Sequence, residues 1–206
     1  MIDAIILAGG LGTRLAGIFD GPKCLAPIAG KPIIERLIGL CADLNPARVV
    51  LALGHRSQEV RAHVFTRQWP FALLTCIDPE PQGTAVALRR ALASVQTPVL
   101  VLNGDTLPLF DLTPLVEEAK RWDSLIAVQV DFDGAVRTRY CGAMIVGPKG
   151  AEAILASDFT NLNSFVWSRF TACHFVPGFL DIGTPEGFAR AQQLTEEELC
   201  PSVSSD

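Results

Sequence analysis

The sequence predicts an α/β fold with a mainly parallel, partly mixed central sheet and helices on both faces. One repeating pattern of strand-like and helix-like segments leads to this prediction. Short β-branched or aliphatic runs of four to six residues alternate with segments whose apolar residues recur at helical spacing. That alternation is typical of strand–helix–strand units, which place strands in parallel and cover both faces of the sheet.

Five apolar runs predict the buried strands. They are short, bounded by glycine, proline or polar residues, and rich in Val, Ile and Leu. The predicted strands are residues 4–7, 49–53, 73–77, 99–102 and 125–130, with a further strand at 142–146.

Helix start signals separate these strands. Proline and threonine at the first positions, and an apolar stripe after Gly83 and Thr84, mark the starts of the helices. We expect Ser57 to cap the helix that includes residues 60–64. The other predicted helices are residues 32 to about 44, 85–95, 113–122, 148–156 and 184–194.

Length and charge limit the class of protein. A chain of 206 residues with 49% hydrophobic residues is expected to form one domain, here residues 1–194, and the acidic, serine-rich segment 195–206 is expected to be a loosely ordered tail. The formal net charge of −5 disfavours nucleic acid as a partner. The sequence has neither a membrane-spanning apolar run nor a basic leader, which predicts a cytoplasmic protein without a membrane partner. The oligomeric state cannot be read from these patterns.

The cysteines predict free thiols. Six cysteines are spread along the chain without a C-x-x-C pair, and three histidines do not complete a zinc-type spacing. Reduced, mostly buried thiols are therefore expected.

A glycine-rich turn follows the first predicted strand. Gly9, Gly10 and Gly12 leave backbone N–H groups accessible to a ligand, and Arg14 offers a planar fork for phosphate oxygens. The chain has no Walker A string, because Gly30-Lys31 is followed by Pro32, and Leu15 stands where a dinucleotide fingerprint needs its third glycine. A polyphosphate site of another type is predicted.

Several motifs together resemble the sugar-1-phosphate nucleotidylyltransferases, the enzymes that make nucleoside diphosphate sugars. The short heptose 1-phosphate guanylyltransferases have the most similar pattern, followed by the uridylyltransferases for amino-sugar phosphates. The resemblance covers residues 1 to about 115 and 176–194. It rests on LAGGLGTRL at 7–15, PKCLAPIAGKP at 22–32, PQGTA at 81–85, LNGDT at 102–106 and FLDIGTPE at 179–186.

The resemblance implies a Rossmann-like nucleotidyltransferase fold and a role for each motif. A nucleoside triphosphate, with GTP favoured, would transfer its nucleotidyl group to a sugar 1-phosphate and release pyrophosphate. Arg14 would contact the β- and γ-phosphates and Lys23 would bridge the two reacting phosphates. Asp105 and Asp181 would bind Mg²⁺. The implied nucleotide-binding residues are Leu7, Ala8, Gly9, Gly10, Gly12, Thr13, Gln82, Gly83 and Thr84.

The acceptor side departs from the family pattern. A lysine that grips the sugar phosphate in larger relatives has no counterpart, and Arg137, Arg139 or Arg169 would have to replace it. Two alternatives therefore stay open. One is a sensor that binds a nucleotide sugar without catalysis, and the other is a molybdenum-cofactor nucleotidyltransferase.

Overall fold

The structure is a computed structural model that describes residues 2–80, 82–132, 135–170 and 172–199. Within that part of the chain, a seven-stranded sheet is the centre of the molecule. Two further pairs of short strands lie beside it. The strands are β1 (Asp3–Leu7), β2 (Pro27–Ile28), β3 (Lys31–Pro32), β4 (Arg48–Leu53), β5 (Ala72–Ile77), β6 (Val99–Asn103), β7 (Thr106–Pro108), β8 (Leu125–Phe132), β9 (Val136–Val146), β10 (Ala172–Phe175) and β11 (Phe179–Asp181).

The central sheet has the strand order β10-β8-β9-β6-β1-β4-β5. Strands β6, β1, β4 and β5 pair in parallel, whereas β9 pairs antiparallel with both β6 and β8. The sheet is thus mainly parallel and mixed, which confirms the predicted fold class. β7 and β11 form a separate antiparallel pair in which Asp181 lies opposite Thr106.

Helices cover both faces of the sheet and produce two apolar clusters. Alternate residues of β1 point to opposite faces, so that Ala4 and Ile6 enter the first cluster and Ile5 and Leu7 the second. Helices α1, α2, α4 and α7 pack into the first cluster, and α3, α5 and α6 into the second. The helices are α1 (Ile33–Ala42), α2 (Ser57–Val64), α3 (Thr84–Leu92), α4 (Thr113–Glu118), α5 (Pro148–Leu155), α6 (Leu162–Arg169), α7 (Pro185–Ala191) and α8 (Glu196–Leu199).

Local details differ from the sequence expectations. Ser57 is the first residue of α2 and not its cap, because Arg56 occupies the N-cap position in the left-handed conformation. Helix α4 ends at Glu118, before the predicted end at 122. Strand β9 begins at Val136, earlier than predicted, because its first residues pair with the extended end of β8. Helix α6 was not predicted, since it carries no clear apolar period.

The segment after Leu194 is partly ordered. Residues Glu196–Leu199 form α8, whose Leu199 is buried. Both carboxylate oxygens of Glu196 accept hydrogen bonds from Arg36, at 2.6 and 2.9 Å, and Arg36 is itself buried in α1. The expectation of a loose tail is therefore wrong for residues 195–199, because a buried guanidinium needs a counter-charge. Residues 200–206 lie outside the described residues.

Two other expectations concern helices and thiols. In the described ranges, no helix combines the length and the apolar character needed to cross a bilayer. The free thiols are those of Cys24, Cys41, Cys76, Cys141 and Cys173, whereas Cys200 lies outside the described residues.

Candidate active site

A cleft of about 320 Å³ opens at the carboxyl ends of β1, β4 and β6. Parallel strands bring their carboxyl ends to one edge of the sheet, which is where α/β folds bind ligands. The loop after β1, the residue after β5 and the start of α3 complete the wall. The lining residues are Leu7, Ala8, Gly9, Gly10, Leu11, Lys23, Cys24, Leu53, Gly54, Asp78, Gly83, Thr84, Ala87, Asn103, Gly104 and Asp105.

Glycine permits a close approach of the backbone at two points of this wall. A Cβ on Gly9 would lie 3.1 Å from the backbone nitrogen of Gly54, so the loop after β1 passes close to the end of β4. Gly83 has a φ of +113°, and a Cβ there would lie 2.3 Å from the carbonyl oxygen of Thr160. Only glycine allows the approach of the chain to the start of α3.

Three charged side chains converge at the rim of the cleft. The Lys23 ammonium lies 2.5 Å from Oδ2 of Asp105. A Cβ placed on Gly183 would be 2.8 Å from Oδ1 of Asp181, 3.3 Å from Oδ2 of Asp105 and 3.4 Å from Nζ of Lys23. One glycine position is therefore within van der Waals distance of all three groups, so they form a single cluster.

The β7–β11 pair holds the two carboxylates in this cluster. The N–H of Ile182 donates to the carbonyl of Asp105 at 2.9 Å, which ties the end of β11 to the turn after β6. The N–H of Gly183 donates to Oδ1 of Asp181 at 2.7 Å, and the hydroxyl of Thr106 donates to Oδ1 of Asp105 at 3.2 Å. Backbone and hydroxyl donors fix both carboxylates without removing all their acceptor capacity.

Five predicted residues do not line the cleft: Asp181, which lines a neighbouring groove, and four residues of the nucleotide loops. Arg14 and Thr13 are exposed on a 3₁₀ turn beside it, and Arg14 has no bonded partner in the described part of the chain. A Cβ on Gly12 would lie 3.4 Å from Cβ of Lys23, so this glycine packs against the cluster. Gln82 is exposed before α3.

Asp78 is a cleft residue that the sequence interpretation missed. It follows β5, and its side chain is only 7% exposed. Its Oδ1 pairs with Arg90 and accepts the N–H of Glu80, whereas no donor among the described residues reaches its Oδ2. The available signal was an acidic residue at the carboxyl end of a predicted strand, whereas Asp105 was identified by its motif.

Cys24 also lines the cleft, but its thiol remains protonated. Burial raises the pKa of this thiol to about 12, so it is a neutral group at physiological pH. The cysteine therefore contributes to the apolar wall and does not act as a nucleophile.

The sequence also matches a known protein family. Residues 4–156 match the family model described as the MobA-like NTP transferase domain. The chain belongs to the MobA-like NTP transferase family. The matched region contains β1 with its glycine loop, Lys23, Asp78 and Asp105, whereas Asp181 follows it.

Relatives in this family include sugar-phosphate enzymes. A D-glycero-α-D-manno-heptose 1-phosphate guanylyltransferase from Campylobacter jejuni is 28% identical, and the alignment covers 91% of this chain and 97% of that protein. The bifunctional protein GlmU of Rhodospirillum rubrum is 35% identical over 74% of this chain, which spans about a third of that longer protein.

The crystal structure of HddC from Yersinia pseudotuberculosis complexed with GMP-PN has a TM-score of 0.77 and 26% identity. The match covers 93% of this chain and 98% of HddC. These similarities identify the chain as a nucleotidyltransferase.

Proposed function

We propose that the protein is a Mg²⁺-dependent guanylyltransferase that transfers GMP from GTP to a sugar 1-phosphate of the heptose or hexose class. The products are a GDP-sugar and pyrophosphate. The observation that carries this proposal is the cluster of Lys23, Asp105 and Asp181 at the rim of a glycine-lined cleft. The heptose 1-phosphate guanylyltransferases, which match nearly the whole chain, support the same acceptor class.

The positive charges of Lys23 and Arg14 suit the phosphate anions that this reaction brings together. A phosphate oxygen of the acceptor attacks the α-phosphorus of GTP and pyrophosphate leaves from the opposite side, so two anions must be held in contact. The compact ammonium of Lys23 offsets this repulsion from the rim, and Arg14 on the adjacent turn would stabilise the leaving pyrophosphate. The acceptor is already an anion at neutral pH, and positioning does not require a general base.

The two carboxylates suit a magnesium ion. Mg²⁺ is held in proteins through one or two carboxylates, with substrate phosphates and water completing its shell. In the described residues no group of three or more His, Cys, Asp or Glu side chains forms a metal cage, and Asp105 with Asp181 provides the two-carboxylate set. When bound there, the ion would neutralise charge on the phosphate oxygens.

Asp78 supports guanine as the base. Guanine presents two adjacent donors, N1–H and the N2 amino group, and a carboxylate accepts both. Uracil instead flanks its single N–H with two carbonyl oxygens, which a carboxylate repels. Asp78 lines the cleft, and its Oδ2 is buried and accepts no hydrogen bond from the described residues, so a base with adjacent donors would satisfy it and a guanine nucleotide is favoured over a uridine nucleotide.

Pyrophosphate release tests the proposal. Five nucleoside triphosphates are combined with the 1-phosphates of heptose, mannose, glucose and N-acetylhexosamine in Mg²⁺, using the wild type, Asp105→Asn and the exposed control Asp43→Asn. We expect turnover with GTP and one acceptor, a loss of roughly 100-fold or more in Asp105→Asn, and wild-type activity in the control. Turnover in Asp105→Asn at the wild-type rate would refute the metal assignment.

A sensor without catalysis gives a different result. It would release no pyrophosphate from any pair, yet a GDP-sugar would still raise its melting temperature. That outcome would exclude the proposed reaction and support the binding-only alternative.

A further inference from the structure

The turn that begins α3 is supported by a segment that does not itself line the nucleotide cleft. Gly83 and Thr84 line the cleft, and residues 156–161, here called the α5–α6 loop, lie against this turn. The carbonyl oxygen of Thr160 in that loop accepts the N–H of Ala85 at 3.0 Å. The first N–H groups of a helix have no partner inside the helix, so this bond satisfies Ala85 and fixes the start of α3 against the loop.

Two more contacts join the loop and the end that follows it to the same turn. The hydroxyl of Thr84 accepts the N–H of Leu162, the first residue of α6, at 3.0 Å. Gly83 approaches the loop so closely that a Cβ there would lie 2.3 Å from the carbonyl oxygen of Thr160. A displacement of the loop is therefore transmitted directly to the two residues that line the cleft.

The α5–α6 loop is itself anchored in the second apolar cluster. The ring of Phe159 packs edge-on against that of Phe165, with 5.6 Å between the ring centroids, and Phe165 is fully buried. The side chain of Asn161 caps α6 by accepting the N–H of Ser164 at 3.1 Å. The loop therefore has a fixed position relative to the sheet.

Arg89 connects the loop to α3 a second time. It lies further along α3, and its Nη1 donates to the carbonyl oxygen of Phe159 at 2.9 Å and to the hydroxyl of Ser157 at 3.1 Å. Hydrogen bonds from a charged donor are stronger than those between neutral groups. The next residue, Arg90, pairs instead with Asp78, so the two consecutive arginines bind different parts of the molecule.

We propose that Arg89 is a positioning residue for nucleotide binding. Through the α5–α6 loop it holds Gly83 and Thr84 where they meet the base of GTP. Hydrogen bonds weaken steeply with distance and angle, so a small displacement of this turn weakens the binding of the base. The inference rests on the proposed function, and it adds a determinant of GTP affinity outside the cleft, since Arg89 does not line it.

The acceptor side should not respond to the loss of Arg89. The carboxylates of Asp105 and Asp181 are held by the β7–β11 pair and not by the α5–α6 loop. A matched control is Arg61, an exposed arginine on α2, which packs on the opposite face of the sheet from α3.

Isothermal titration calorimetry with GTP and Mg²⁺ tests the proposal in the wild type, Arg89→Met, Arg89→Lys and Arg61→Met. Arg89→Met keeps an apolar stem but removes the donors, and it should raise the Kd for GTP about fivefold or more. Arg89→Lys keeps the charge and should recover part of the affinity. Arg61→Met should bind GTP as the wild type does.

Steady-state kinetics separate positioning from a merely structural role. In Arg89→Met the KM for GTP should rise about as much as the Kd, whereas the KM for the sugar 1-phosphate that supports turnover stays within about twofold. Loss of stability alone would lower Tm without this difference between the two substrates. Melting temperatures show that each variant is folded at the assay temperature, and Arg89→Lys provides the test if Arg89→Met is not.

The outcomes distinguish this inference from the proposed function. An unchanged Kd for GTP in Arg89→Met, an equal weakening in Arg61→Met, or equal rises in both KM values would overturn the role of Arg89 while the guanylyltransferase activity stands. A wild type that binds GTP but releases no pyrophosphate with any acceptor would overturn the proposed function, and the Kd values would still decide the role of Arg89. A wild type that does not bind GTP would overturn both.

Discussion

Asp78→Asn should weaken the selection of guanine. The substitution keeps the shape of the side chain but replaces one carboxylate oxygen with an N–H donor, which faces the N1–H and N2 amino donors of the base. A hydrogen bond to a charged group is worth about 1.5–3 kcal/mol, so the loss of two such bonds, partly offset by the remaining amide oxygen, amounts to about 3 kcal/mol. That energy corresponds to a decrease of roughly 150-fold in kcat/KM for GTP.

Modified nucleotides distinguish a specific loss of guanine recognition from a general loss of enzyme activity. ITP lacks the N2 amino group, and XTP carries a carbonyl oxygen in its place. The wild type should prefer GTP to ITP about tenfold, Asp78→Asn should lose that preference, and XTP should become its best substrate because the new amide donates to the added carbonyl. The assay is pyrophosphate release with each nucleotide at saturating sugar phosphate.

Arg90→Met is the control for the lost ion pair. This variant also breaks the pair with Asp78 but keeps the carboxylate in place. It should lower stability, since a buried carboxylate loses its counter-charge, while the ratio of GTP to ITP turnover stays near that of the wild type. An Asp78→Asn enzyme with unchanged GTP kcat/KM and an unchanged GTP to ITP ratio would refute the assignment of the base site.

Two further predictions concern stability. Gly83→Ala should lower the free energy of unfolding by about 2 kcal/mol and Tm by about 4–8 °C, because its Cβ would meet a backbone carbonyl at a positive φ. Gly39→Ala is the control, since a Cβ at this position inside α1 has open space and should raise Tm slightly. Thermal unfolding of both variants checks this, and equal Tm values would contradict it. Hydrogen bonding from Arg36 lowers the pKa of Glu196, so this pair stabilises the docking of α8 above the ordinary carboxylate pKa and loses that effect as the pH falls through the lowered pKa. The protection factor of the Leu199 amide, which is the ratio of its intrinsic to its observed exchange rate at each pH, should therefore fall on acidification below about pH 4.5 in the wild type. Glu196→Gln has no charge to lose and should remove that pH dependence. The same change in protection factor in both proteins would be evidence against the pair.

The fold was predictable because its signals are local. Strands β1, β4 and β6 are apolar runs buried on both sides. Five of the six predicted strands lie within two residues of their observed bounds, and the exception is β9, which begins six residues before its predicted start. The antiparallel course of β9 was not predictable, since the direction of a strand depends on the length and path of the connection before it. Its first residues are exposed and polar, so only pairing with β8 reveals them as strand.

The sequence by itself determined the types of residue in the site and their positions at strand ends: the glycine turn after β1, Lys23, and an aspartate after β6 and on β11. Only the tertiary structure decided which of them meet. Lys23 and Asp105 are 82 positions apart yet lie 2.5 Å apart. Packing of other distant segments likewise brings Arg139 over Phe179 and Asp78 into the cleft. The reason is physical. Residue patterns encode the period and burial of one segment, whereas distances between segments follow from how the helices and strands pack around the shared core.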